Sequence, residues 1–525
     1  MGSAALSCFD QFLECREQAE ASGQNAVHAG DGNTVVGEGN VLVQCALHAV
    51  AHFARGEHAA AAVDNRGKAT QVLREARAGA RFKGELRAGV AREPAGQLHG
   101  ADVVALPVFH RRVDDVKVGQ HTGGFTPFYF DITSALNKGN NQLVVKVWDP
   151  SDRGEQPRGK QVERPEGIWY TPVTGIWQTV WLEPVAAQHI AQLKTTPDID
   201  KKTVKVEVAT NVCSPDKVEV KVFDGKNLVA KGAALNGVPV ELTMPEDVKL
   251  WTPESPSLYN MEVTLYKDGK AVDQVKSYTA LRKFSTHKDK NGITRLQLNN
   301  KDYFQFGPLD QGWWPDGLYT APTDEALVYD LKKIKDFGYN MVRKHVKVEP
   351  ARWYTYCDQL GLIVWQDMPN GGRGPAEWQM HKYYDGADAI RSAASEANYR
   401  KEWKEIIDYL YSYPSIGVWV PFNEAWGQFK TPEITKWTKE YDPSRLVTPA
   451  SGGNHYTCGD ILDLHNYPGP NLYLYDPIRA TVLGEYGGIG MALKGHLWLA
   501  DKNWGYVKFN TPEEVTNEYI KYADH

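Results

Sequence analysis

Tryptophan and tyrosine are missing from the start of this 525-residue chain: all 16 tryptophans lie at or after Trp148, and all 26 tyrosines at or after Tyr129. Cysteine is scarce, and the six present (Cys8, Cys15, Cys45, Cys213, Cys357 and Cys458) form no C-x-x-C pair. That spacing argues against both a zinc ribbon and a disulfide scaffold. No window holds 18 uninterrupted apolar residues, which excludes a transmembrane helix. Basic excess is absent too: a formal net charge of −6 argues against a nucleic-acid-binding surface. The opening residues do not read as a secretory leader, because Asp10, Glu14, Arg16 and Glu17 interrupt any apolar run. No G-x-S-x-G, Walker A or G-x-G-x-x-G motif stands in a strand-to-helix context.

What is there is soluble and globular in its average, 42% hydrophobic and 24% charged. At about 100–200 residues per domain, the length suggests three or four domains. The average conceals a break near residue 115. Residues 1–115 hold ten arginines against two lysines (Lys68, Lys83), with six of the 15 histidines and three of the six cysteines. They show neither clean alternation nor a helical period. An Ala-rich helical domain is one reading. A frameshifted or mis-joined translation fits the composition better.

From Val116 the pattern becomes regular. Phe128–Ile132, Gln142–Val147 and Gln178–Val185 alternate as half-buried strands, and Pro150–Gly175 reads as a long loop between them. Residues 116–185 are the C-terminal part of an antiparallel sandwich. Residues 186–285 give further strands at Val204–Ala209, Lys217–Phe223, Met261–Tyr266 and Val272–Tyr278, an all-β sandwich. Over 286–525 short apolar runs alternate with helices. Strands are expected at Tyr303–Phe306, Met341–Val342, Leu362–Trp365, Gly417–Phe422, Leu446–Thr448, Ile461–Leu464 and Thr481–Leu483, with helices from Asp324, Pro350, Ala389, Pro432 and Pro512. That order predicts a (β/α)8 TIM barrel lacking its last unit. The fold class is therefore multidomain β plus α/β.

In such a barrel, functional side chains follow the C-terminal ends of strands. Those positions hold Trp313 and Trp314, Arg343 and His345, Asp367, Asn423, Glu424 and Trp426, His465 and Tyr467, and Glu485. Glu424 and Glu485 close strands on opposite sides of the barrel. Two carboxyls about 5–5.5 Å apart are what a retaining glycosidase needs, one to attack and one to protonate the leaving oxygen. Asn423 is placed to bind the sugar 2-hydroxyl, and Tyr467 or Arg343 to keep Glu485 ionised. Trp313, Trp314, Trp378 and Trp426 are candidate stacking faces, with core packing at least as good a reading for each. Lys344 and Lys347 are candidates to hold an acidic sugar, against the commoner outcome of a solvated face. His345, Asp367 and His465 invite a metal reading but lack a local ligand signature, so no metal and no cofactor is expected.

On these residues the chain resembles glycoside hydrolase family 2, over about residues 116–525. HTGGFTPFYFDIT (121–133), NQLVVKVWDP (141–150) and GIWYTPVTGIWQTVWLEPV (167–185) are similar to the family's sugar-binding jelly roll. LWTPESPSLY (250–259) is similar to its immunoglobulin-like domain. GYNMVRKHVKVEPARWYTYCDQLGLIVWQDMP (338–369) and PSIGVWVPFNEAWGQ (414–428) are similar to its barrel. The resemblance implies a retaining exo-β-glycosidase. The Asn-Glu pair at 423–424 makes Glu424 the acid/base, and GEYGG at 484–488 makes Glu485 the nucleophile. His345, Asp367 and His465 match positions that line the sugar subsite, and the 150–175 loop matches one that reaches the barrel mouth.

β-Galactosidase is the first reading of the activity, with β-glucuronidase or another exo-glycosidase as alternatives. The best-known galactosidase branch has a His three residues after the nucleophile, where this chain has Gly488. It also has a Glu and a His that bind magnesium after strand three, where this chain has Gln-Asp-Met-Pro-Asn. The expected partner is a carbohydrate, with neither nucleic acid nor membrane. Relatives with this motif set are often exported. Non-enzymatic readings are a damaged product or a carbohydrate-binding remnant, and a clan-related endo-glycanase is a further one.

Overall fold

A computed structural model describes residues 116–137, 141–212, 217–372, 388–495, 497 and 503–525, together with the backbone of strands Asn40–Cys45, Arg87–Val90 and Val108–Val113. Apart from those three strands, the anomalous segment 1–115 lies outside the described residues, as do Trp378 and Cys213.

Two small sheets come first. One orders strands 87–90, 142–148, 108–113 and 116–122; the other orders 128–131, 40–45 and 180–185. Phe128, Leu143 and Val145 face inward and pack with Trp177 into the barrel's outer core. The middle unit is an all-antiparallel sandwich of seven described strands. Asn227–Leu235, Lys217–Asp224, Tyr259–Lys267 and Lys270–Thr279 face Val240–Thr243, Thr203–Thr210 and Ile190–Asp198. Period-two alternation builds its core: Val204, Val206 and Val208 of one sheet meet Val218, Val220 and Val222 of the other. The sandwich is anchored to the barrel by buried polar contacts. Trp251 Nε1 donates to the Asp358 carbonyl at 2.9 Å, and the Tyr278 hydroxyl donates to Asp358 Oδ2 at 2.6 Å.

The barrel strands are parallel: Leu309–Asp310, Met341–Lys344, Ile363–Asp367, Ile416–Val420 and Leu446–Val447 in one sheet, then Ile461–His465 paired with Ala480–Glu485. Single bridges through Ser451, to Asn423 and to Asp463, join the two sets. Helices Asp324–Asp336, Ala351–Leu360, Ala393–Leu410 and Thr431–Tyr441 lie between the strands in sequence. Thr323 and Ser392 cap two of them, each accepting from the backbone three residues on. The Ser392 cap explains why the third helix starts at Ala393 and not at Ala389. After the last long strand, Ile489–Met491 pairs in parallel with Val507–Phe509, and helix Pro512–Asp524 follows.

The first barrel strand corrects the sequence reading. Tyr303–Phe306 does not join the barrel, and Phe304 is 82% exposed. The barrel begins at Leu309–Asp310, which pairs with Arg343 and Lys344. The hairpin upstream, Phe284–Lys288 with Thr294–Leu298, closes the barrel floor instead. Phe284 and Leu298 pack there with Met341, Ile363, Val418 and Ile461. Among the described residues, no helix is long and apolar enough to cross a membrane.

Candidate active site

Polar side chains stand at or shortly beyond the strand ends on one face of the barrel. Arg343 ends the second strand in the middle of a charge network. Its Nε and Nη2 donate to Asp367 Oδ1 and Oδ2 at 3.0 and 2.8 Å, Nη1 donates to Glu485 Oε1 at 2.8 Å, and Nη2 also donates to Asn423 Oδ1 at 2.7 Å. This rigid fork fixes three strand ends at once. Tyr467 donates its hydroxyl to Glu485 Oε2 at 2.7 Å. His465 Nδ1 lies 3.2 Å from Glu424 Oε1 and 3.4 Å from Glu485 Oε2, while its Nε2 meets the Ser451 hydroxyl at 2.8 Å.

The electrostatics separate these groups. Burial pushes Glu485 upward, but the charges of His465 and Arg343 and the Tyr467 hydrogen bond outweigh it and hold the carboxyl far below its ordinary range. His465 is the reverse case. Burial lowers it, and Glu485 and the bond to Glu424 raise it above an ordinary histidine. His345 is buried beside Arg343 and stays neutral, pushed well down. Burial lifts Asp367 to about 6, which the Arg343 pairing only partly offsets. Glu424 holds a left-handed backbone, φ +53°, a strained state for a residue with a Cβ. Its amide donates to the Ser451 carbonyl at 2.7 Å.

One ligand-like cluster emerges among the described residues, and it is not the His345, Asp367 and His465 trio. Ligand atoms of Glu424, His465 and Glu485 lie within 4.8 Å of one another. A divalent cation there would have to displace the Arg343 and Tyr467 bonds to Glu485 and compete with a proton that His465 holds more tightly than an ordinary histidine. Asp367 is likewise committed to Arg343. The donor set suits a reacting carboxylate pair better than a metal. Several polar atoms in the same space stand ready for a ligand: Asn423 Nδ2, both ring nitrogens of the neutral His345 (one a donor, one an acceptor) and Trp426 Nε1 are buried without a hydrogen-bond partner.

The 150–175 loop comes to this face. The amides of Arg158 and Gly159 donate to the Asn370 carbonyl at 3.2 and 2.9 Å, and Arg158 Nε donates to the Gly372 carbonyl at 3.1 Å. Gly159 has φ +64°, and a Cβ there would sit 2.6 Å from the Val346 carbonyl oxygen. Only glycine allows that approach. The next residue, Lys160, thereby points between Trp169 and Trp426, 4.8 and 5.3 Å from the ring centroids. Trp169 meets Trp426 edge-on at 5.1 Å.

Two stretches of the chain match glycoside hydrolase family 2. Residues 188–282 match the model of glycosyl hydrolases family 2, and residues 318–467 match that family's TIM barrel domain. A Formosa agariphila protein named for β-glucuronidase is 28% identical over 60% of this chain and 36% of its own length. A β-galactosidase of Photobacterium profundum is 26% identical over 67% of this chain and 34% of its own. The chain thus spans about a third of the length of these curated relatives. Among solved structures, a β-D-glucuronidase from Dictyoglomus thermophilum shares the fold with a TM-score of 0.59 at 17% identity, over 80% of this chain and 77% of that one.

Against this family-2 frame, Arg343, His345, Asp367, Asn423, Glu424, His465, Tyr467 and Glu485 sit on one face, as the strand ends anticipated. Trp426 lies beside them, buried. Trp313 and Trp314 are only partly buried and lean on the main core. Trp313 stacks on Tyr170 at 4.6 Å. Lys344 and Lys347 are not a solvated face either. Both are buried, with Lys344 on Asp310 at 2.7 Å and Glu349 at 2.9 Å, and Lys347 on Glu349 at 2.8 Å. Replacing Lys344 by Met should leave Asp310 and Glu349 undercompensated and cost about 3–5 kcal/mol of stability, read by urea unfolding. Sequence reasoning missed Ser451, Asp463, Tyr506 and Lys160. Of these, Tyr506 stacks on Tyr467 at 4.0 Å. No motif marks any of them.

Proposed function

We propose that this chain carries the catalytic centre of a retaining exo-β-glycosidase. The observation that supports it is the placement of Glu424 and Glu485 oxygens within 4.8 Å of each other. Retaining enzymes hold their carboxyls about 5–5.5 Å apart, and inverting ones leave room for a water between. Glu485, kept ionised, attacks the anomeric carbon. Glu424 delivers a proton to the departing oxygen, and a glycosyl ester forms on Glu485. Glu424 then takes a proton from water, which attacks the same carbon and frees the sugar with its configuration unchanged. Asn423 Nδ2, with its Oδ1 committed to Arg343, is left to donate to the 2-hydroxyl. The loop carrying Lys160 and Trp169 narrows the mouth, which favours the end of a chain over its middle. The relatives bear both galactosidase and glucuronidase names, so the sugar is argued below from the site itself.

Proton NMR of nitrophenyl β-glycoside hydrolysis tests the reading. The β-anomer should appear first. An α-anomer as first product would sink it.

His465 supplies a pH-dependent check. It sits beside a carboxylate whose proton affinity it lowers. Removing an opposite charge raises a carboxyl's pKa by about 1–3 units. The acid limb of kcat/KM should therefore move to higher pH in His465→Asn, by about one unit or more. An unmoved limb would show that the imidazolium does not hold Glu485 ionised.

A further inference from the structure

Lys160 is the cation the mechanism leaves unused. It is only 4% exposed. Among the described residues, its ammonium has no hydrogen-bonded or ion-paired anion, only the faces of Trp169 and Trp426. The other buried lysines behave differently: Lys344 and Lys347 each hold Glu349 within 2.9 Å. A buried ammonium without an anion is costly, and indole faces compensate it only in part.

Its position says where the missing anion belongs. Trp426, whose ring the ammonium faces at 5.3 Å, stands two residues after Glu424, and Glu424 and Glu485 are the carboxylates whose charge acts most on Lys160. Neither is free to serve as its standing partner. Glu485 is held by Arg343 and Tyr467, and Glu424 faces His465. Arg343 is itself saturated by Asp367 and Glu485. Beside the two glutamates, Arg343 pairs with Asp367 and Glu485 and His465 with Glu424 and Glu485, whereas Lys160 pairs with no carboxylate. The Gly159 approach to Val346 and the Arg158 bonds to Asn370 and Gly372 fix that loop, so Lys160 cannot swing far into solvent.

We propose that Lys160 is the specificity-determining residue of this site and selects a terminal sugar carrying an anionic group, a carboxylate or a sulfate. This rests on the glycosidase reading and names its substrate class. A hydroxyl would satisfy one N–H but leave the charge uncompensated. A carboxylate or sulfate oxygen answers both demands with a charge-assisted hydrogen bond in a water-poor site.

Calorimetric titration of the full chain with glucuronic acid, galacturonic acid, glucose 6-sulfate and glucose tests this. Hydrolysis of the matching nitrophenyl β-glycosides runs alongside. At least one anionic sugar should bind about tenfold more tightly than glucose, and Lys160→Met should cut that preference by about tenfold or more. Whether the uronic acids or the sulfate bind best identifies the anion. Preference for glucose, binding of no sugar, or a Lys160→Met preference equal to wild type would each overturn the proposal. Should Lys160→Met fail to fold, Lys160→Gln, which keeps a hydrogen-bond donor but no charge, takes its place, and an anionic preference equal to wild type in it overturns the proposal equally. The two readings fail separately. Lys160-dependent binding without cleavage would overturn the glycosidase and leave the anion site standing. Cleavage of neutral glycosides with refusal of anionic ones would do the opposite.

Discussion

Glu485→Gln should abolish turnover, with kcat falling by at least about 10^4-fold on every β-glycoside the protein cleaves. An amide oxygen is too poor a nucleophile to open the anomeric carbon, and no other carboxylate can take its place. Asp367 is held by Arg343 through both oxygens, and Glu424 is on the acid side of the bond. The substitution is nearly isosteric, so the amide oxygen can still accept from Arg343 or Tyr467, and circular dichroism should match wild type. A 2-fluoro glycoside should label the wild type at Glu485 and leave the variant unlabelled. The pH dependence of stability should change as well. Glu485 is depressed in the folded state, so its ionised form contributes stability above the ordinary carboxylate range, and that contribution is lost as pH falls through the folded value. Glu485→Gln removes it, and unfolding should lose part of its acid sensitivity. Substantial residual activity in a well-folded variant would mean that another group attacks.

The strand ends were legible because chemistry and fold coincide there. Met341–Lys344, Ile363–Asp367 and Ile416–Val420 are short apolar runs buried on both sides, and each stops on or just before a polar residue. The middle sandwich was legible where valines alternate. It was lost at Asn227–Leu235, where alanines and Gly232 blur the period. Long-range charge pairing was not legible. Lys344 and Lys347 flank a histidine in a run that looks solvated, and only folding brings Asp310 and Glu349 to them. Trp313 and Trp314 follow a barrel strand, as a sugar platform would. Of the aromatic partners that draw Trp313 inward, Tyr319 lies six residues on, but Tyr170 comes from a distant loop. Lys160 was the hardest to see. Nothing in Gly159-Lys160 announces a site residue. Its role depends on a backbone contact with Val346, nearly 190 positions away in the sequence.

Glu424→Ala should give a different signature from Glu485→Gln, and that difference separates the two roles. General acid catalysis is worth about 10²–10⁴ in rate, and most when the leaving group is a poor one. An alkyl or sugar aglycone should therefore lose activity in that range. Dinitrophenol needs little protonation, so its glycosides should be cleaved to the covalent ester almost normally and then stall, because no base remains to activate water. Pre-steady-state kinetics should show a burst followed by slow turnover. Azide needs no base, and it should restore turnover and leave a β-glycosyl azide. The site has space for it once the side chain is gone, since Glu424 stands at the open end of the His465 contact, its side chain 18% exposed against 8% for Glu485. Loss that is equal for all leaving groups and blind to azide would remove Glu424 from the proton transfer. Its left-handed backbone and its bond to Ser451 would then be the reason the position matters, a structural role that Glu424→Gly should preserve and Glu424→Ala should weaken.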